Sequence, residues 1–211
     1  MSTTNSAVKT RSPLSERLDL IISPIFAAGL AILGFAVWTY SDLDKITIAI
    51  LSPDKVQRQI GETLLLGLTS SILVVLIAVP VGILVTRKGY PRLKSLLVNT
   101  LGLGQALPAY GLIVIFFSFM GSGIVTVILA LATFSLLPVL RNTIVGLEQV
   151  DKSVIDAARG MGLTARQILL KIELPLSVEV ILGGIRTAVV INVGFSALAF
   201  LVGGGGLGET I

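Results

Sequence analysis

Histidine and cysteine are both missing from the 211 residues, so few side chains could do covalent chemistry. Ser–His and Cys–His nucleophile pairs, zinc sites built on Cys or His, disulfides and haem ligation by either side chain are excluded. No apolar stretch holds a carboxylate pair, which leaves no acid–base couple for an enzyme embedded in lipid. What remains is non-covalent chemistry at two places. One is the cluster Asp156-Ala157-Ala158-Arg159, followed by Gly160-Met161-Gly162. Its carboxylate and guanidinium can make charge-assisted bonds to a partner, and its small residues let another backbone approach closely. The other is a set of polar or irregular positions inside apolar sequence: Asn99, Gln105, Pro108, Tyr110 and Asn192. Amides are costly in lipid and are expected to face protein or a water-filled path.

The elements that position these residues follow from charge. Apolar residues make up 54% of the chain and charged residues only 13%, about half the share of a soluble domain. Mean hydropathy is +0.95. Residues 20–41, 63–86, 95–140 and 187–208 carry no Asp, Glu, Lys or Arg. About 20 helical residues cross a hydrocarbon core of about 30 Å. The long stretch is therefore two spans, hinged at Gly121-Ser122-Gly123. The expected fold is an all-α polytopic membrane protein with spans near 20–40, 63–86, 95–120, 124–140 and 180–202. Residues 1–19 form an N-terminal segment, and 20–211 form one transmembrane domain with a polar loop at 141–178.

Thirteen of the sixteen Lys and Arg fall before the first span, after the second and after the fourth. With five spans these positions share one side, which the positive-inside rule makes cytoplasmic, with the N terminus on it. The first apolar run is too long for a signal peptide, and Trp38 and Tyr40 at its far end read as an interface belt. The sequence pI of about 9.6 is then orientation chemistry, and no nucleic-acid partner is expected. The glycine run 203–206 and the following Leu207-Gly208-Glu209-Thr210-Ile211 read as a loop leading to a sixth span beyond this sequence.

Within 141–178, Ser153-Val154-Ile155-Asp156 and Thr164-Ala165-Arg166-Gln167 both fit the capping box. Gly160-Met161-Gly162 supplies a left-handed stop between two short helices, and the second helix is expected to end at Leu174-Pro175. From the residues alone, this device is either an amphipathic hairpin on the headgroups or a docking knob for a cytoplasmic partner.

The third span is the least regular, with Pro108, Gln105 and three glycines near mid-depth. Irregular backbone there survives only against protein or a water-filled path. The segment reads as a pathway-lining hinge, with small-residue helix packing as the alternative. Asn192 carries the same two readings. Arg186 reads as a snorkelling or loop-pairing residue, with Glu179 as a partner, and Pro80 as a kink. Three phenylalanines at 116, 117 and 119 do not make a cage for a quaternary ammonium ion.

The segment Asp156-Ala157-Ala158, three residues, Gly162, nine residues, Ile172-Glu173-Leu174-Pro175 resembles the EAA loop of the permease subunits of bacterial ABC importers. The spacing matches throughout, with Asp156 in place of the first Glu. Gly183-Gly184-Ile185-Arg186-Thr187-Ala188, Asn192-Val193-Gly194 and the glycine run are similar to the osmoprotectant branch, which carries glycine betaine, carnitine, choline and proline betaine. That likeness covers roughly residues 60–208. The resemblance implies a type I importer permease in which the loop is a coupling helix seated on a separate ATPase. Asp156, Ala157, Ala158, Arg159 and Gly162 would contact that ATPase, and Ile172, Leu174 and Pro175 would fix the exit into the next span. It further implies a second permease subunit, identical or related, and an extracytoplasmic solute-binding protein.

No G-x-x-x-x-G-K-[ST] occurs in the chain, so ATP and Mg are expected on the partner, and no cofactor or metal is expected here. The expected activity is alternating access coupled to that ATPase, with no enzymatic step in this chain. Alternatives are a permease for another small polar solute, such as an amino acid or ergothioneine, and an ion-coupled secondary transporter. The latter usually needs ionisable groups at mid-depth, which are lacking here. A scaffold without a transport role is the remaining reading.

Overall fold

A computed structural model describes residues 25–26, 28–36, 51–87 and 91–211. The residues described before position 50 are helical (α1). The N-terminal segment 1–19, the ends of the first expected span, Trp38 and Tyr40 lie outside the described residues. From Leu51 onward the chain forms one compact unit. Its helices are α2 (Pro53–Thr86), α3 (Pro91–Gln105), α4 (Ala109–Met120), α5 (Ile124–Glu148), α6 (Lys152–Gly160), α7 (Ala165–Ile168) and α8 (Leu174–Phe195). Two 3₁₀ turns follow, Ser196–Val202 and Leu207–Glu209.

Helices α2, α5 and α8 form the centre of this unit. They approach closely because small residues stand where they cross, the packing that works in lipid. A Cβ added to Gly82 of α2 would lie 2.6 Å from Thr143 of α5, and one on Gly184 of α8 would lie 2.7 Å from Asn142 of α5. One apolar cluster gathers Val74, Ala78, Val85, Val139, Leu140 and Ile144. A second, toward the glycine run, gathers Leu66, Ile113, Val127, Leu131, Ala199 and Val202. The outer faces are apolar too: Leu64, Leu65, Leu68, Ile72 and Leu76 of α2 are all exposed. A stripe of that kind suits hydrocarbon and would be a liability in water.

Three helical runs among the described residues are long and apolar enough to cross a membrane: Pro53–Thr86, Ile124–Glu148 and Ala165–Val202. The expected span at 95–120 differs. It is two helices, α3 and α4, bent by 100° at Ala106-Leu107-Pro108, and only the pair together has the length of a span. The bend has a local cause. Pro108 cannot donate into the helix from behind, so α3 ends at Gln105 and α4 restarts with Pro108 as its N-cap.

Within 141–178, Arg141 lies in α5, which runs to Glu148; α6 follows, and the chain is continuously helical from Ala165. Helix α7 does not stop at Leu174-Pro175. It widens into a π turn, Leu169–Glu173, and continues directly into α8. The Leu174 amide reaches back to Leu169, and the wider turn relieves the clash of the Pro175 ring with the preceding carbonyls.

Candidate functional site: a capped hairpin at one end of the bundle

Helices α6 and α7 form the hairpin, and each of its ends is capped. Asp151, and not Ser153, is the N-cap of α6: its carboxylate accepts the Ser153 amide at 2.8 Å. That bond, joined by one from the Ser153 side chain, holds the Asp151 carboxyl below its ordinary value. The expected Ser153–Asp156 capping box is therefore not formed. Asp156 instead faces solvent and pairs with Arg159 at 3.1 Å. The second expected box is present. The Thr164 amide donates to Gln167 Oε1 at 2.8 Å, and the Gln167 amide donates back to Thr164 Oγ1 at 3.4 Å.

Between the helices, Gly162 takes φ +83°, a conformation that L side chains resist. The Gly162 amide donates to Arg159 O and the Leu163 amide to Ala158 O, which closes the last carbonyls of α6. Asp156, Ala157, Arg159, Gly160, Met161 and Gly162 are all exposed and make one continuous edge. Ala158 departs from the expectation. It is fully buried within this chain and presents nothing outward. Of the exit residues, Pro175 is exposed while Ile172 and Leu174 are half-buried around the π turn.

Two ion pairs tie this end of the bundle together. Arg87, just past α2, lies 2.8 Å from Glu173 of the π turn. Lys94 of α3 holds both oxygens of Glu148 at the end of α5. A cleft of about 550 Å³ separates the hairpin from the bundle, with Arg87, Glu148, Asp156, Arg159 and Glu173 among its walls. Arg186 and Glu179, expected as partners, form no ion pair among the described residues; both are exposed.

The five path candidates are not gathered at one place. Asn99, Pro108 and Tyr110 are exposed, and Asn99 bonds only Ser95 within its own helix. Gln105 crosses to α5, where its Nε2 donates to Phe134 O at 3.1 Å. Asn192 is fully buried between α2, α5 and α8. With its amide set by its neighbours, Nδ2 donates to Leu131 O at 3.0 Å and Ser135 Oγ at 2.9 Å. Its Oδ1 lies 3.1 Å from Ser71 Oγ. In this conformation its amide is engaged by α2 and α5.

At the far end of the bundle the glycine run folds onto the start of α2. Glu62 accepts the Gly206 amide and Thr63 accepts the Leu207 amide, both at 2.9 Å. Buried Gln59 accepts from Thr210 Oγ1 and donates to Glu209.

Residues 78–211, which include the whole hairpin, match the protein family described as "Binding-protein-dependent transport system inner membrane component". The chain belongs to that family. It is thus a multi-pass inner-membrane permease of the ABC importer class. It is 37% identical over 153 residues to the carnitine transport permease protein OpuCB of Listeria monocytogenes, covering 72% of this chain and 69% of that one. It is 35% identical to the glycine betaine/carnitine/choline transport system permease protein OpuCB of Bacillus subtilis, with 72% and 69% covered. To OpuCD of L. monocytogenes it is 40% identical, covering 64% of this chain and 60% of that one. The chain thus spans about 60–69% of the length of these relatives. Among solved structures it is similar to an inward-facing conformation of the MetNI methionine ABC transporter, at TM-score 0.64 and 26% identity. That likeness covers 79% of this chain and 81% of the other.

Several working contacts of the permease were not legible as such. Arg87 and Lys94 register in the sequence only as boundary charges, Glu173 only as the residue between Ile172 and Leu174 of the loop motif, and Glu148 not at all. The signal available was position: each opposite-sign partner sits within a turn of a helix end, where charges from different helices converge. Gln59, Glu62 and Thr63 gave no signal: Glu62 and Thr63 take the backbone amides of Gly206 and Leu207, and Gln59 pairs with the distant side chains of Glu209 and Thr210.

Proposed function

We propose that this permease forms half of the translocation pathway of an importer for a small zwitterionic or quaternary ammonium osmoprotectant, such as glycine betaine, carnitine or choline. The observation that carries this reading is the hairpin's exposed edge. Asp156, Ala157, Arg159 and Gly162 stand outward on a hairpin whose two helices are capped and whose turn is locked by Gly162. A rigid, small-residue, charge-bearing edge is what a separate ATPase can grip and push. In this reading the hairpin is cytoplasmic, as is the N terminus, because thirteen of sixteen basic residues fall on that side. ATP and Mg belong to the ATPase, a second permease subunit completes the path, and a solute-binding protein delivers solute to the glycine-run side.

The likeness to relatives named for carnitine, choline and glycine betaine supports that solute class. The likeness to a methionine transporter keeps an amino-acid cargo as the second reading. The test is uptake into vesicles holding the permease with its ATPase and binding protein. ATP-dependent accumulation of labelled glycine betaine, displaced by carnitine or choline and not by methionine, is the expected result. Accumulation without the ATPase, or displacement by methionine alone, would overturn the reading.

A further inference from the structure

The hairpin is joined by the chain to α5 on one side and α8 on the other, so both helices must follow it when it moves. Helix α2, the third member of the central trio, has no such covalent link. At the hairpin end its polar link among the described residues is one ion pair. Arg87 follows α2 directly, in extended backbone, and its Nε donates to Ile83 O at 3.3 Å, which fastens the guanidinium to the last turn of α2. Its Nη2 lies 2.8 Å from Glu173 Oε2.

Glu173 is the final residue of the π turn between hairpin and α8, and its side chain is only 10% exposed. The Arg87 contact is the one polar neighbour of Oε2 among the described residues, and it is poorly aligned as a hydrogen bond. A carboxylate so enclosed depends on its counter-ion and cannot shift freely without it. A π turn is also a point where one helix can change register while the flanking turns stay intact. The pair therefore joins α2 to the segment where hairpin motion would be taken up.

We infer that Arg87 and Glu173 are a positioning pair that carries movement of the ATPase-seated hairpin into α2. The inference rests on the importer reading above. It assigns these residues no contact with solute or nucleotide. They act by keeping α2 in step with α5 and α8.

The test uses the complete complex in vesicles, with ATP hydrolysis and labelled glycine betaine uptake read from the same sample. Glu173→Gln and Arg87→Met should still insert and recruit the ATPase, but the solute carried per ATP should fall about fivefold or more. The exchange Arg87→Glu with Glu173→Arg should restore much of that ratio, where each single change does not. A role in stability alone would lower the amount of complex and leave the ratio unchanged, and that result overturns the inference. So does an exchange no better than its singles.

A second readout is independent of which solute is carried. The chain has no cysteine, so labels at Lys152→Cys, on the hairpin but off the docking edge, and Thr86→Cys are unique within it. Their separation should hold steady on ATP binding in the parent chain and change in Glu173→Gln. Identical behaviour of the two overturns the pair. A labelled pair of complexes, parent and Glu173→Gln, that moves no glycine betaine yet gives the expected label distances counts against the cargo and supports the pair.

Discussion

Gln105 completes a hydrogen bond that Pro138 removes. Within α5 the carbonyl of Phe134 would accept the amide four residues on, but that residue is Pro138, which has no N–H. The Gln105 Nε2 donates to this carbonyl at 3.1 Å from the broken end of α3. The gap in one helix's ladder is thereby filled from the bend of another. The same residue, Phe134, sets its ring edge-on to Phe195 of α8, with centroids 5.4 Å apart.

Gln105→Leu should strand the Phe134 carbonyl in an apolar setting, at a cost of about 1–3 kcal/mol. The hairpin is remote from this bond, so ATPase recruitment should be unchanged while uptake falls. Co-purification of the ATPase alongside vesicle uptake checks both halves. Unaltered transport kinetics would reduce Gln105 to a surface amide.

Asn192 makes the opposite case. It is fully buried, and its amide holds Ser71, Leu131 and Ser135 on two other helices. Asn192→Leu should leave polar groups without partners and lower stability by about 1–3 kcal/mol. The pattern of competing solutes should not change, because the side chain faces no open path. Thermal unfolding in detergent and a competition profile separate the two effects. A changed solute preference at normal stability would place Asn192 on the path instead.

The helical spans were legible because lipid imposes a simple rule: charge is excluded over a length that helix geometry fixes. The hairpin was legible because caps and turns are local, as with Thr164 and Gln167 or Gly162. Where two local signals compete, sequence alone cannot rank them. Asp151 took the α6 cap because its carboxylate accepts the Ser153 amide and its carbonyl the Val154 and Ile155 amides, which draws Ser153 into the first turn. Leu174-Pro175 reads as a stop, yet a π turn lets the helix run through it. The bend at Pro108 gave a signal of irregularity but not of its 100° angle, which depends on where α3 and α4 find partners. Burial of Ala158 beside exposed Ala157 is likewise a tertiary fact, since the two are identical in type and adjacent.

The glycine run offers a sharper test of close packing. A Cβ on Gly205 would lie 2.7 Å from Glu62 Oε2, and the residue has φ +74°. Gly205→Ala should therefore cost about 1–2 kcal/mol for the left-handed backbone, plus a crowding part of about 0.5–1.5 kcal/mol as the Glu62 carboxylate is pushed off the Gly206 amide. Repeating the change in a Glu62→Ala background should recover the crowding part and leave the backbone part. Strict additivity of the two substitutions in thermal unfolding would mean that the loop does not rest on Glu62.

Ala157 and Ala158 allow docking and folding to be separated at neighbouring positions. Ala157 is exposed, so Ala157→Glu should change stability by no more than about 0.5 kcal/mol. It nonetheless places a long charged side chain on the edge proposed to meet the ATPase, and should abolish recruitment and uptake together. Ala158 is fully buried, so Ala158→Glu buries an unpaired carboxylate and should reduce the amount of inserted, folded permease before any question of docking arises. Gly162→Asp lies between the two: it adds charge to the edge and strains a turn at φ +83°. Insertion assays, thermal unfolding and ATPase pull-down on the three variants should rank them in that way. If Ala157→Glu still binds the ATPase and transports at the parent rate, this edge is not where the motor seats, and the push must enter the permease elsewhere.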